Sequence, residues 1–182
     1  MPVKTFKLSD GTKIPWIGFG TGTEFYQKEC AEGCKLALSV GYTHIDTAEM
    51  YQNEAGVGVA IKEMGNVSRE NLYVTTKLWE VSPEQSVEDR LRQSLQAMNL
   101  EYVDLYLVHN PSNLANRDGG LKQVWKEMVE VKRKGLTRSI GVSNFSKAQL
   151  LEIMSLELDV PVLNQVCATT VFYINSMLNF NT

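Results

Sequence analysis

The sequence predicts a parallel α/β barrel, on three observations. Short runs rich in β-branched and aromatic residues alternate with amphipathic helical stretches, at the spacing of stacked strand–helix–strand units. Successive predicted strands end in polar or ionisable residues, namely Asp46, Lys77, His109, Ser143 and Gln165. Side chains from several strand ends serve one site when the sheet curls into a barrel, whose carboxyl-end rim carries the chemistry. Ahead of the first unit, Asp10-Gly11 between two short extended runs marks a β-hairpin. A doubly wound open sheet competes, because Gly18-Phe19-Gly20-Thr21-Gly22 superficially resembles a phosphate-binding turn. Its spacing is G-x-G-x-G rather than G-x-G-x-x-G, and no helix follows cleanly.

The elements follow in order. Residues 5–8 and 13–15 flank the hairpin turn, and residues 16–22 (WIGFGTG) read as a buried strand ending in glycines. A helix is expected over about 28–40, with Leu36 and Val40 four apart, stopped by Gly41. In the strand at 43–47, Ile45 faces one side and His44 and Asp46 the other. Asn53-Glu54 opens a helix to Met64, capping its free amides, and Gly65-Asn66 closes it. Residues 72–79 (LYVTTKLW) form a strand. Ser82-Pro83-Glu84-Gln85 has the pattern of a helix start, and Val87, Leu91, Leu95 and Met98 share one stripe beyond it. Residues 103–109 form a strand broken by Pro111, and residues 113–120 a polar loop. Leu121, Val124, Trp125, Met128 and Val131 then repeat at helical spacing. Residues 138–142 are a strand, Ser146 to Gln149 is a second capping box before Leu150, Ile153 and Met154, and 161–166 is the sixth strand.

Composition excludes several functions. A chain of 182 residues, 43% hydrophobic and 21% charged, suffices for one domain with a core. A net charge of −3 without a basic stripe argues against nucleic-acid partners. No apolar run approaches membrane-spanning length and residues 1–13 lack a leader's apolar centre, so no membrane partner and a cytoplasmic location are expected. Cys30, Cys34 and Cys167 have no metal or redox spacing and read as small core residues in a reducing compartment. His44-x-Asp46 at a strand end could contribute to a metal site, but with 2 histidines in the chain none is expected.

Residues 41–54 (GYTHIDTAEMYQNE), 75–79 (TTKLW), 105–111 (LYLVHNP), 140–145 (IGVSNF) and 163–166 (LNQV), in this order and spacing, resemble the aldo-keto reductases. The resemblance implies a TIM-type (β/α)8 barrel that reduces aldehydes or ketones to alcohols with NADPH. It implies a small-molecule carbonyl substrate, and a monomer is expected if the chain is soluble. By motif, the catalytic residues would be Asp46, Tyr51, Lys77 and His109. Ser143, Asn144 and Gln165 would hold the nicotinamide amide, with Asp46 and Thr21 as further cofactor contacts. Trp79 and His109 would border the substrate. In many members an aromatic follows the catalytic histidine, whereas Asn110 stands here.

The residue types suit that chemistry. Carbonyl reduction needs a hydride, which no side chain supplies, and an acid that protonates the oxygen as it gains charge. Tyr51 is the expected acid, and the Lys77 ammonium would stabilise the phenolate left behind. Asp46 would keep Lys77 charged and fixed, while His109 would donate to the substrate oxygen and orient it. Taken singly, Lys77 would be a snorkelling surface residue, Tyr51 packing and His109 a satisfied core histidine. The common register of the motifs is what gathers them into one site.

The resemblance runs to about Val166. Residues 1–166 are therefore expected to form a partial barrel of roughly six βα units, and residues 167–182 (CATTVFYINSMLNFNT) a divergent tail with one strand-like run at 170–174. A complete barrel takes about 250 residues, so an incomplete one with an open sheet edge is expected. A catalytically silent binding or regulatory protein of the same fold, or a nonfunctional truncated product, are the alternatives.

Overall fold

In the computed structural model, which describes residues 3–65, 67–114 and 117–166, Gly11 turns the chain with a φ of +88° between β1 (Thr5–Lys7) and β2 (Lys13–Pro15). That left-handed conformation is open to glycine at no steric cost. The two strands pair antiparallel, Thr5 opposite Pro15. Six parallel strands follow, each hydrogen-bonded to the next in chain order. They are β3 (Phe19–Gly20), β4 (His44–Asp46), β5 (Tyr73–Leu78), β6 (Val103–Val108), β7 (Thr137–Ser143) and β8 (Asn164–Gln165). The helices α1 (Ala31–Ser39), α2 (Glu54–Glu63), α3 (Val87–Met98), α4 (Gly120–Arg133) and α5 (Lys147–Met154) connect them.

The sheet curls. Gln165 on β8 reaches across to Asp46 on β4, its Nε2 donating to Oδ2 at 3.0 Å. At the other end of the strands the Ser139 hydroxyl of β7 donates to Asp10 of the hairpin at 2.7 Å. This is the incomplete (β/α)8 barrel with an N-terminal hairpin that the sequence predicts, with β3 and β8 as edge strands among the described residues. Strand alternation splits the core in two. Val74, Leu78, Tyr106 and Val108 pack outward against the helices, while Leu105, Leu107 and Tyr73 form a smaller inner cluster that Ile14 of the hairpin closes. None of the described helices is long and apolar enough to cross a membrane.

Several expectations need correction. The strand read over 16–22 pairs only at Phe19–Gly20, and Trp16 and Ile17 are 55% and 54% exposed. They lie before the sheet begins, where the Trp16 amide donates to the Lys4 carbonyl and its ring stacks on Phe6. Helix α1 starts at Ala31 rather than 28, and it buries Ala31, Cys34, Ala37 and Leu38 while Leu36 and Val40 face outward. The reason is a close approach to α2: a Cβ at Gly56 would stand 2.5–3.1 Å from atoms of Glu29, Cys30 and Ala31, so small residues occupy the contact. Ser82 to Gln85 forms a turn, and α3 is capped by Ser86, whose hydroxyl accepts from the Asp89 amide. Asn53 occupies the cap position of α2, yet its side chain caps nothing there. On α5 Ile153 is buried but Met154 is exposed. Cys30 and Cys34 are buried as expected, whereas Asn66, Cys167 and the run at 170–174 lie outside the described residues.

Candidate active site

Lys77 sits near the end of β5, in a strand buried along its whole length, and is itself 1% exposed. A buried ammonium is costly unless paired and hydrogen-bonded. Here it donates to Asp46 Oδ1 at 2.5 Å and to the Thr47 carbonyl at 2.9 Å. The pairing follows from register, because Asp46 ends β4 and lies opposite Thr75, two residues before Lys77 on the same face of β5.

Tyr51 arrives on a 3-10 turn over Glu49–Tyr51 that Gln52 ends in a left-handed conformation. The ammonium of Lys77 lies 5.1 Å from the centre of the Tyr51 ring and makes no hydrogen bond to its hydroxyl. A Cβ at Gly22 would come within 2.4–2.8 Å of the ring and hydroxyl of Tyr51, so the loop after β3 forms a flush wall against the phenol.

His109 follows β6, its amide held by the Leu78 carbonyl at 2.9 Å. Its ring meets Tyr51 edge-on at 5.5 Å and Trp79 at 5.3 Å, and so stands between them. Burial first, and then the nearby Lys77 ammonium, push the imidazole down to about 4. It is therefore neutral near pH 7, with one N–H donor and one acceptor nitrogen. Nδ1 is buried and unpartnered among the described residues.

A chain of hydrogen bonds closes the other side. Asn144, at a φ of +61°, donates to the His109 carbonyl and to Ser143 Oγ, both at 3.0 Å. Ser143 donates to the Gln165 carbonyl at 2.7 Å, and Gln165 in turn donates to Asp46. Asp46, Tyr51, His109, Ser143, Asn144 and Gln165 thus line one open cleft of about 260 Å³, with Val166 beside them.

One expected cofactor contact does not line the cleft. Thr21 is fully buried, its hydroxyl 3.0 Å from Thr47 Oγ1 and donating to Asn53 Oδ1 at 3.1 Å, away from the cleft. Trp79 packs edge-on against His109 at 5.3 Å. His44 lies deeper on the face of Asp46, its Nε2 bonded to Thr75 Oγ1 at 2.9 Å. Sequence reasoning missed Thr47, Asn53, Gly22 and Glu49. The Glu49 carboxylate accepts from the Trp79 amide and pairs with Arg90, which ties the Tyr51 turn to the end of β5. No local pattern marks these roles, because each depends on at least one partner more than 25 residues along the chain.

The same arrangement of strands recurs in known proteins. A family model described as the aldo/keto reductase family matches residues 16–177. Aldo-keto reductase family 1 member C18 of Rattus norvegicus is 41% identical over 175 residues, covering 84% of this chain and 54% of its own. Glyoxal reductase of Bacillus subtilis (strain 168) is 39% identical over 165 residues, covering 89% and 57% respectively. The structure of a Bombyx mori aldo-keto reductase in complex with NADP matches with a TM-score of 0.81 at 34% identity, over 97% of this chain and 64% of that one. The chain spans about half the length of the curated relatives it matches. A family model across most of the sequence, relatives near 40% identity and a shared curled sheet agree with the strand-end motifs, and the chain belongs to the aldo/keto reductase family.

Proposed function

We propose that the protein reduces aldehydes or ketones to alcohols with NADPH, Tyr51 serving as the proton donor. The observation that carries this is the buried Lys77 ammonium, fixed by Asp46 and Thr47 against the face of Tyr51, with the neutral His109 edge-on to the same ring. Glyoxal reductase among the relatives and the NADP complex among the structural neighbours support the substrate class and the cofactor.

The cleft lining suits a nicotinamide. Asn144 Oδ1 and Gln165 Oε1 accept no hydrogen bond from the described residues, so two acceptors stand ready for a carboxamide N–H₂, and Ser143 adds a hydroxyl. When bound, NADPH supplies the hydride. The Tyr51 hydroxyl makes no hydrogen bond within the described residues, so it is free to meet a carbonyl oxygen and pass its proton as charge builds there. Lys77 then faces the phenolate with a fixed positive charge that need not reorganise. Asp46 keeps that charge in place, and a neutral His109 donates to the same oxygen and sets its direction. Trp79 walls the substrate side of the imidazole.

The test is oxidation of NADPH with an aromatic aldehyde. Tyr51→Phe keeps the ring and its packing but removes the proton, and should lower kcat by about 100-fold or more. Equal turnover by the variant and the unmodified protein overturns the assignment.

A further inference from the structure

We propose that Asn53 is the positioning residue for the proton donor: its carboxamide locks the Tyr51 segment to the loop after β3 and to the residue that holds Lys77. The role presupposes the reductase chemistry above, but the contacts stand independently of it. Asn53 is 4% exposed. Its Nδ2 donates to the Thr21 carbonyl at 3.0 Å and the Phe25 carbonyl at 2.7 Å. Its Oδ1 accepts from the hydroxyls of Thr21 at 3.1 Å and Thr47 at 3.2 Å. Two donors and two lone pairs are the whole capacity of an amide, and all are used. None serves the first turn of α2, although Asn53 stands where an asparagine ordinarily caps a helix.

What the amide joins explains why. Thr47 gives its hydroxyl to Asn53 and its carbonyl to the Lys77 ammonium, so the two bonds fix one residue from both sides. Thr21 and Phe25 flank Gly22, the wall against which the Tyr51 ring lies. Tyr51 is two residues before Asn53, and its own carbonyl accepts from the Gln27 amide of the same loop at 2.9 Å. One side chain therefore sets the phenol, its wall and one of the two acceptors of the ammonium. Aspartate cannot substitute, because both Nδ2 contacts are carbonyl oxygens and a carboxylate there would face two acceptors.

The two histidines provide the readout. His109 touches the Tyr51 ring, and its proton affinity is set by burial at that contact and by Lys77, with Asp46 acting in the opposite sense. His44 touches Tyr73 and Thr75 and would crowd a side chain at Gly18, none of them a partner of Asn53; burial first, and then Asp46, Lys77 and Asp104, set its proton affinity, so it shares the charges of the site but not the contact with Tyr51. In Asn53→Asp and Asn53→Ala, an NMR pH titration should move the His109 midpoint upward from about 4 by at least one pH unit, a tenfold gain in proton affinity, and the His44 midpoint by less. An unmoved His109 in both variants overturns the proposal. So does an equal shift of both histidines, which would make Asn53 a residue of general stability. Because the measurement reads protonation and not turnover, failure of the reductase assay with Tyr51→Phe leaves it intact, and the two failures are distinguishable.

Discussion

Lys77 shows what a single buried charge demands of its surroundings. Its ammonium has two fixed acceptors, and one of them, Asp46, is held in turn by Gln165. Lys77→Met keeps most of the stem and removes the charge, leaving the Asp46 carboxylate with only an amide donor. Breaking a buried pair from one side costs roughly 3–5 kcal/mol, and the partial exposure of Asp46 places this pair toward the low end, about 3 kcal/mol. Adding Asp46→Asn should recover most of that loss, since an amide needs no countercharge. Urea denaturation of the single and double variants checks both values. If the single variant is as stable as the unmodified protein, the pair carries no structural charge burden. At this scale the sequence placed Asp46, Lys77 and His109 at the ends of neighbouring strands, because a polar residue ending an apolar strand has a recognisable address, and Tyr51 on the turn just beyond. It did not disclose the duty of Asn53 or the orientation of Thr21. Their partners lie 32 and 26 residues away, and a local pattern could offer only capping or a cofactor contact.

At the level of elements, α3 carries two successive start patterns, Ser82 to Gln85 and Ser86 to Asp89, and tertiary contacts choose between them. The free amide of Val87 is taken by Glu127 of α4 at 2.9 Å, and Arg117 binds the Gln85 carbonyl at 3.1 Å, so the chain is held in a non-helical turn until Ser86. Ser86 then completes the box, accepting from the Asp89 amide while Asp89 accepts from the Ser86 amide. Ser86→Ala should therefore cost about 1 kcal/mol, and Ser82→Ala less than about 0.5 kcal/mol. Thermal melts of the two variants distinguish the starts, and an equal loss would return the cap to Ser82. Helical stripes were legible wherever large apolar residues made the contact, as with Val87, Leu91, Leu95 and Met98 on α3, all buried. On α1 the large residues misled, because α1 and α2 approach through Gly56, Cys30 and Ala31, and close approach selects small side chains that carry little hydrophobic signal.

For the whole molecule, strand order follows from alternation, but curl does not, since it is fixed by bonds such as Gln165 to Asp46 and Asp10 to Ser139 that span 119 and 129 residues. Curl is also what buries His109 between Tyr51 and Trp79, and this couples fold stability to pH. The folded imidazole titrates near 4 and the unfolded one near 6.5. Below pH 6.5 the unfolded chain takes up a proton that the folded chain refuses, so stability is fully present above 6.5 and falls as the pH drops toward 4. His44, which burial also pushes down, acts in the same direction, whereas Glu54, whose carboxyl burial pushes up, acts against it. The comparison must therefore be differential. Between pH 7 and pH 5 the unmodified protein should lose on the order of 1 kcal/mol more than His109→Asn, a value discounted for the solvent that reaches the ring. Urea midpoints of the two proteins at both pH values measure it. An equal pH dependence would mean that the imidazole is as well solvated in the folded barrel as in the open chain, and the tight junction of Tyr51, His109 and Trp79 would then have to be looser than its geometry shows.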